Sequence, residues 1–214
     1  MTHKPYALFD LDGTLVDSMT YWRHAPAVLA ERLLGGLDGE RRRKSIDTVY
    51  YGDQARLFAS WGLTLSKREI ITACEDIMAE HYRRDVSPKA GTLAYLNRLR
   101  AQGVRMGIVT LTRHREAEIC LDKTGLAPYF SFVLTPEDTE DGSGKEAPGI
   151  FALALAKLGC RDARDCAFYD DSLYALKTAS ALGFYTCAVK DAWAEREREE
   201  ILSLCDAYLS LDEK

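Results

Sequence analysis

The sequence contains no Cys-x-x-Cys pair, and this absence removes the spacing typical of zinc or redox sites. Its six cysteines stand singly, at positions 74, 120, 160, 166, 187 and 205. A chain of 214 residues with 47% hydrophobic residues can bury a full core without disulfide bonds. We therefore expect buried, reduced thiols.

The sequence also lacks long apolar segments and an excess of positive charge. No apolar run approaches the roughly 20 residues that span a bilayer. The formal net charge is −5, with both signs interspersed, so electrostatics give no reason to expect a nucleic acid or an acidic membrane as partner. We expect a cytoplasmic protein, a monomer or small homo-oligomer, that binds a small molecule.

Short apolar runs alternate with helical patterns over most of the chain. Strands are predicted at 6–9, 104–110, 132–135, 166–169 and 184–189. Helices are predicted at 92–101, 114–123, 148–158 and 173–182. This alternation is typical of an α/β fold with a doubly wound parallel sheet.

Residues 18–85 interrupt the alternation with helical periodicity and no convincing strand. Within this segment, Ser66 and Glu69 have the spacing of a capping box, which predicts a helix over 70–82. We expect a small helical domain at 18–85, inserted into an α/β core formed by 1–17 and 86–214.

Polar residues follow the predicted strands where each strand ends. The first strand continues as A-L-F-D-L-D-G-T, and comparable positions follow the later strands. The residues concerned are Asp10, Asp12, Thr110, Lys145, Asp170 and Asp171. Ligands of parallel α/β sheets bind beyond the carboxyl ends of the strands, so we expect these side chains to converge on one site.

Four carboxylates at one site repel one another and are costly to bury unless a cation neutralises them. Oxygen ligands without histidine or cysteine suit Mg²⁺, which also keeps waters and a substrate phosphate. Thr110 offers a hydroxyl and Lys145 a fixed positive charge for the remaining phosphoryl oxygens. The pattern predicts a phosphoryl-transfer site.

The same residues resemble the four ordered motifs of the haloacid dehalogenase (HAD) superfamily. The segment 10–14, Thr110, Lys145 and the pair Asp170-Asp171 match in order, and the resemblance covers nearly the whole chain. A helical insert between the first two motifs is similar to the subfamily with a helical cap, which includes phosphoglycolate-phosphatase-like and beta-phosphoglucomutase-like proteins. The resemblance implies a Rossmann-like core.

The resemblance also implies roles for the residues. Asp10 would be the nucleophile that forms an aspartyl-phosphate, and Asp12 would protonate the leaving oxygen and later accept a proton from water. Mg²⁺ would be held by the Asp10 carboxylate, the Asp12 backbone carbonyl and Asp171, with Asp170 bound directly or through water. Thr110 and Lys145 would bind the phosphate.

Several positions depart from the family pattern. Ala175 stands where related phosphatases often have a second acid, so Asp170 would have to supply it. Trp22 replaces the early cap histidine of the mutase-like branch, which weakens a mutase interpretation. Leu111 replaces a small polar residue after the threonine, and Glu146 replaces the proline that usually follows the lysine.

The sequence thus predicts a Mg²⁺-dependent phosphatase acting on a small phosphomonoester. Tyr21, Trp22 and His24 are candidate cap contacts to the substrate, although the tendency of aromatic residues to be buried favours a place in the cap core for Tyr21 and Trp22. A sugar phosphomutase is the nearest alternative. A phosphoacceptor signalling module and a catalytically silent binding protein are the alternatives from other classes.

Overall fold

The computed structural model describes residues 4–211, and these residues divide into two compact units. One unit is Ser18–Asp85, and the other takes the described residues on both sides of it. In the described part of the chain, no helix is long and apolar enough to cross a membrane.

The larger unit is built on a parallel sheet of six strands. The strands are β1 (Tyr6–Phe9), β2 (Arg105–Val109), β3 (Val133–Leu134), β4 (Cys166–Asp170), β5 (Tyr185–Val189) and β6 (Ala207–Leu209). Their order in the sheet is β3-β2-β1-β4-β5-β6, so the chain winds outward in both directions from β1. The predicted doubly wound parallel sheet is confirmed.

Five helices of this unit flank the sheet. They are α5 (Thr92–Ala101), α6 (His114–Thr124), α7 (Pro148–Leu158), α8 (Leu173–Ala181) and α9 (Arg198–Leu204). Buried apolar residues of β1, β4, α7 and α8 form a core cluster that includes Leu8 and Phe168. Phe9 and Tyr169, the next residues of β1 and β4, are also buried and stack on each other with 4.3 Å between ring centroids. Strand residues of a parallel sheet are buried on both faces, which explains why these strands read as continuous apolar runs.

The smaller unit consists of α1 (Met19–Leu34), α2 (Gly39–Asp47), α3 (Tyr51–Ser60) and α4 (Lys67–Arg84). It has its own apolar core, in which Leu29 of α1, Phe58 of α3 and Ile70 of α4 are buried. The predicted capping box is present at the start of α4: Ser66 Oγ accepts from the Glu69 amide, and Glu69 accepts from the Ser66 amide at 2.8 Å.

Two chain segments border the inserted unit and lie side by side in the larger unit. The Asp17 amide donates to the Ser87 carbonyl at 3.1 Å, and Val16 forms an antiparallel bridge with Pro88. These contacts hold the departing and returning chain together, so the insertion leaves the sheet undisturbed.

Candidate active site

The register of the sheet brings the predicted residues together. Phe9 is opposite Ile108 of β2 and Tyr169 of β4, so the residues that follow these strands share one edge of the sheet. The Asp10 amide donates to the Tyr169 carbonyl at 2.8 Å. Strand β2 ends at Val109, one residue earlier than predicted, and Thr110 begins the loop at this edge.

All six predicted residues of the larger unit are buried. These residues are Asp10, Asp12, Thr110, Lys145, Asp170 and Asp171. A buried cluster of ionisable groups is costly unless its charges are paired, so the contacts within the cluster decide what it can do.

Lys145 is the centre of the cluster. Its Nζ atom donates to Oδ1 of Asp10 and to Oδ2 of Asp170, each at 2.6 Å. Burial alone would lower the pKa of the ammonium group, but the charges of Asp10 and Asp170 outweigh it and hold this pKa well above its usual range. Lys145 is therefore a fixed positive charge.

Burial has the opposite effect on carboxyl groups, since it raises their pKa. Burial raises the pKa of Asp10 to about 7, although Lys145 opposes the shift. Burial also raises the pKa of Asp171 well above its usual range, and the charges of Asp170 and Asp10 add to that effect. The site thus favours a cation that would keep both groups ionised.

The oxygen atoms fit a hard divalent cation. One carboxylate oxygen from each of Asp10, Asp170 and Asp171 lies within 4.8 Å of the others. Within residues 4–211, Oδ2 of Asp10 and Oδ2 of Asp171 receive no hydrogen bond. In Asp170, by contrast, Oδ2 accepts from Lys145 and Oδ1 from the Ser172 amide at 2.8 Å. Asp10 and Asp171 thus have an oxygen available for a metal, whereas both oxygens of Asp170 are engaged.

The conformation of the loop after β1 accounts for the glycine and the threonine of the D-x-D-G-T segment at 10–14. Gly13 has a φ of 80°, which favours glycine, and the turn allows the Leu15 and Val16 amides to donate to the Leu11 carbonyl. Thr14 is buried, and its hydroxyl donates to Oδ1 of Asp171 at 3.2 Å. Thr14 therefore orients Asp171, a function that the sequence analysis did not give it.

Asp12 has a partner that the sequence analysis missed. The hydroxyl of Thr112 donates to Oδ2 of Asp12 at 2.7 Å, and both residues are buried. Cys120 of α6 also lies near Asp12: burial raises the pKa of its thiol, and the carboxylate charge raises it further. The only feature of the sequence that could have indicated the contact between Thr112 and Asp12 was a second threonine two positions after Thr110.

In the larger unit, the departures from the family pattern fall into two places. Ala175 is fully buried in α8, and Asp170 supplies the second acid of the cluster. Leu111 and Glu146 both border Gly144, whose amide donates to Oε1 of Glu146 at 2.9 Å. The side chains of Leu111 and Glu146 thus enclose the backbone next to Lys145.

A further ion pair borders the site. Lys89 follows the inserted unit, and its Nζ lies 2.7 Å from Oδ2 of Asp191, which follows β5. The charge of Asp191 also contributes to the raised pKa of Asp171. The sequence analysis did not identify either residue, because the pair joins positions 102 residues apart.

The candidate cap contacts lie in α1 of the smaller unit. The ring of Tyr21 stacks on that of His81 with 3.4 Å between centroids, and Tyr21 is 45% exposed. Trp22 donates its indole N–H to the hydroxyl of Tyr82, a fully buried residue. His24 is partly buried. Tyr21 is therefore open to a ligand, whereas Trp22 takes part in the packing of its own unit.

Comparison with known proteins gives one family and several relatives. The family model described as haloacid dehalogenase-like hydrolase matches residues 6–183. A phosphoglycolate phosphatase of Rhodospirillum rubrum is 30% identical over 205 residues, covering 92% of this chain and 83% of that protein. A pyrophosphatase PpaX of Bacillus pumilus is 26% identical, with 91% and 86% covered.

A solved structure supports the same fold. CbbY from Rhodobacter sphaeroides, in complex with phosphate, superposes with a TM-score of 0.76 at 20% identity, covering 98% of this chain and 96% of that one. At this identity the likeness concerns the fold alone.

Proposed function

Because the chain belongs to the haloacid dehalogenase-like hydrolase family, we propose that it is a Mg²⁺-dependent phosphatase that hydrolyses a small phosphomonoester through an aspartyl-phosphate on Asp10. The observation that carries this proposal is the contact of Lys145 with both Asp10 and Asp170, in one buried cluster with Asp171. Such a cluster pairs a nucleophile with a fixed cation and oxygen ligands.

In the first half of the reaction, Asp10 attacks phosphorus in line as the bond to the leaving oxygen breaks. Asp12 gives its proton to that oxygen. Thr110 donates a hydrogen bond to the phosphoryl group, and Lys145 neutralises its charge. In the second half, Asp12 takes a proton from the water that attacks the aspartyl-phosphate, which releases inorganic phosphate and restores Asp10.

Asp10 and Asp171 would hold the Mg²⁺ through their Oδ2 atoms, together with the Asp12 carbonyl, and Asp170 would contribute through water. The ion supplies positive charge that reduces repulsion between the phosphate and the carboxylate nucleophile. Asp170, whose oxygens bind Lys145 and the Ser172 amide, would mainly position the lysine.

The unit Ser18–Asp85 would act as a cap that selects the substrate and excludes water during phosphoryl transfer. Tyr21 is its best candidate contact because its ring is exposed. A phosphoglycolate phosphatase and a pyrophosphatase among the relatives support a small phosphorylated metabolite as substrate.

The test is phosphate release from sugar phosphates, phosphoglycolate, pyrophosphate and nucleoside monophosphates with Mg²⁺. We expect turnover of at least one substrate by the wild type, and loss of turnover with EDTA or in Asp10→Asn. Asp122→Asn, an exposed aspartate of α6, provides the matched control and should retain activity.

Other outcomes distinguish the alternatives. A phosphomutase would convert a sugar phosphate to its isomer without stoichiometric release of phosphate. A signalling module would accumulate stable phosphoprotein without turnover. No reaction with any compound would contradict the proposal and favour a binding protein.

A further inference from the structure

Thr112 lies in the loop that joins β2 to α6, two residues after Thr110. Its hydroxyl donates to Oδ2 of Asp12 at 2.7 Å, and its backbone amide donates to Oγ1 of Thr110 at 3.2 Å. One residue thus contacts both the proposed proton carrier and the proposed phosphate-binding hydroxyl.

The loop is itself fixed to the sheet. The Thr110 amide donates to the Leu134 carbonyl of β3 at 2.9 Å, and Thr110 is buried. Because the Thr112 amide bonds to Thr110, and Thr110 bonds to β3, the Thr112 hydroxyl has a fixed position relative to the edge of the sheet. A hydrogen bond from a fixed donor restricts the rotamers of a short carboxylate side chain.

We infer that Thr112 is a positioning residue for proton transfer: its hydroxyl bonds to Oδ2 and so holds the carboxyl group of Asp12 in a fixed orientation. This inference rests on the proposed phosphatase function. During transfer, the O–H bond of the Asp12 carboxyl group breaks, the proton goes to the leaving oxygen, and the P–O bond to that oxygen breaks while phosphorus bonds to Asp10. Water later returns a proton to Asp12.

The choice of leaving group separates positioning from a merely structural role. An alkoxide leaving group needs the proton of Asp12, whereas p-nitrophenolate is stable enough to leave without it. The value of kcat/KM reports the steps up to the release of the leaving group, so it isolates the first proton transfer.

The experiment compares kcat/KM for the best alkyl phosphate substrate and for p-nitrophenyl phosphate. Thr112→Val removes the hydroxyl at nearly constant volume, and we expect a loss of about 10- to 100-fold with the alkyl phosphate but less than about threefold with p-nitrophenyl phosphate. Thr112→Ser keeps the hydroxyl and should restore the alkyl phosphate reaction.

Thr124→Val is the matched control. It removes the same atoms from α6 and breaks a hydrogen bond of the same 2.7 Å length, to the Cys120 carbonyl, so both substrates should react as with the wild type. If Thr112→Val does not fold, as judged by thermal denaturation, Thr112→Ala replaces it and the same difference between substrates is expected.

Three results would overturn the inference alone: equal losses with both substrates, failure of Thr112→Ser to restore the reaction, or faster alkyl phosphate hydrolysis by Thr112→Val. The last would mean that Thr112 restrains Asp12 in an inactive position. A wild-type protein that releases no phosphate from any substrate would overturn the proposed function and the inference together.

Discussion

The Nζ atom of Lys145 lies 2.6 Å from Oδ1 of Asp10, the proposed nucleophile. A second contact of equal length joins the same ammonium group to Asp170. In the absence of substrate, the lysine therefore balances carboxylates that would otherwise repel one another. The phosphoryl group of a substrate would bring further negative charge to the same cation, so in the proposed reaction one side chain would support both the folded state and catalysis.

Lys145→Met should impair the protein in both respects. We expect phosphate release to fall by about 10²- to 10³-fold, because a fixed charge at the phosphoryl group is lost. The metal-free protein should lose up to about 3–5 kcal/mol of unfolding free energy, since removal of one partner leaves buried carboxylates unpaired. Initial rates, and denaturation with EDTA, measure the two effects. Lys123→Met, which replaces an exposed lysine, is the control. Wild-type rates in Lys145→Met would contradict the proposed role of Lys145 in binding the phosphoryl group.

Stabilisation by Mg²⁺ should increase with pH. Burial raises the pKa of Asp10 from 3.8 to about 7, so the protonated carboxyl favours the folded, metal-free protein. This contribution is complete below the unfolded pKa and is lost as the pH rises through the folded value. Because Mg²⁺ binds the ionised form, its effect on Tm should be larger at about pH 8 than at about pH 5.5. Thermal denaturation with Mg²⁺ and with EDTA tests this, and an equal shift at both values would contradict it.

Asp171→Asn should weaken Mg²⁺ binding more than Asp170→Asn does. Oδ2 of Asp171 is available for a metal, whereas both oxygens of Asp170 have protein partners. We expect the Mg²⁺ concentration for half-maximal activity to rise at least about tenfold in Asp171→Asn. Asp170→Asn should mainly lower kcat through Lys145. Titration of activity with Mg²⁺ measures both, and the reverse order would mean that Asp170 is the principal ligand.

Tyr21 and Trp22 should respond differently to substitution. Tyr21→Ala removes an exposed ring, so we expect KM to rise about three- to tenfold with little change in kcat. Trp22→Phe removes the hydrogen bond to Tyr82 and should cost about 1 kcal/mol of unfolding free energy without a change in KM. Steady-state kinetics and denaturation of both variants provide the comparison. Unchanged KM values in Tyr21→Ala would exclude it as a substrate contact.

The main architecture could be predicted because strands and helices have different local sequence patterns: short apolar runs for buried strands, and helical periodicity with capping residues for helices. The apolar run before Asp10 and the capping box at Ser66 both occur in the structure. The edge strand β6 (Ala207–Leu209) was not predicted, since a strand of three residues with one buried position has no clear period. The two-residue strand β3 is shorter than its predicted range, because its pairing with β2 ends at Leu134.

The positions of the candidate site residues were predictable where a residue ends a strand or directly follows one. Asp10, Thr110 and Asp170 were found in this way, because the sheet fixes their position. Contacts made by residues within loops were not, since they depend on the path of the loop. The bond from Thr112 to Asp12 joins positions 100 residues apart, and no local pattern indicates it.

The central place of β1 in the sheet has a consequence for how the protein folds during synthesis. Strand β1 is made before both of its partners, β2 and β4, which begin at Arg105 and Cys166. The nascent strand must therefore remain unpaired on both edges until much of the chain has emerged from the ribosome. The helices of Ser18–Asp85, whose contacts are local, can form during that interval. The proposed cap would thus fold before the catalytic centre that it serves.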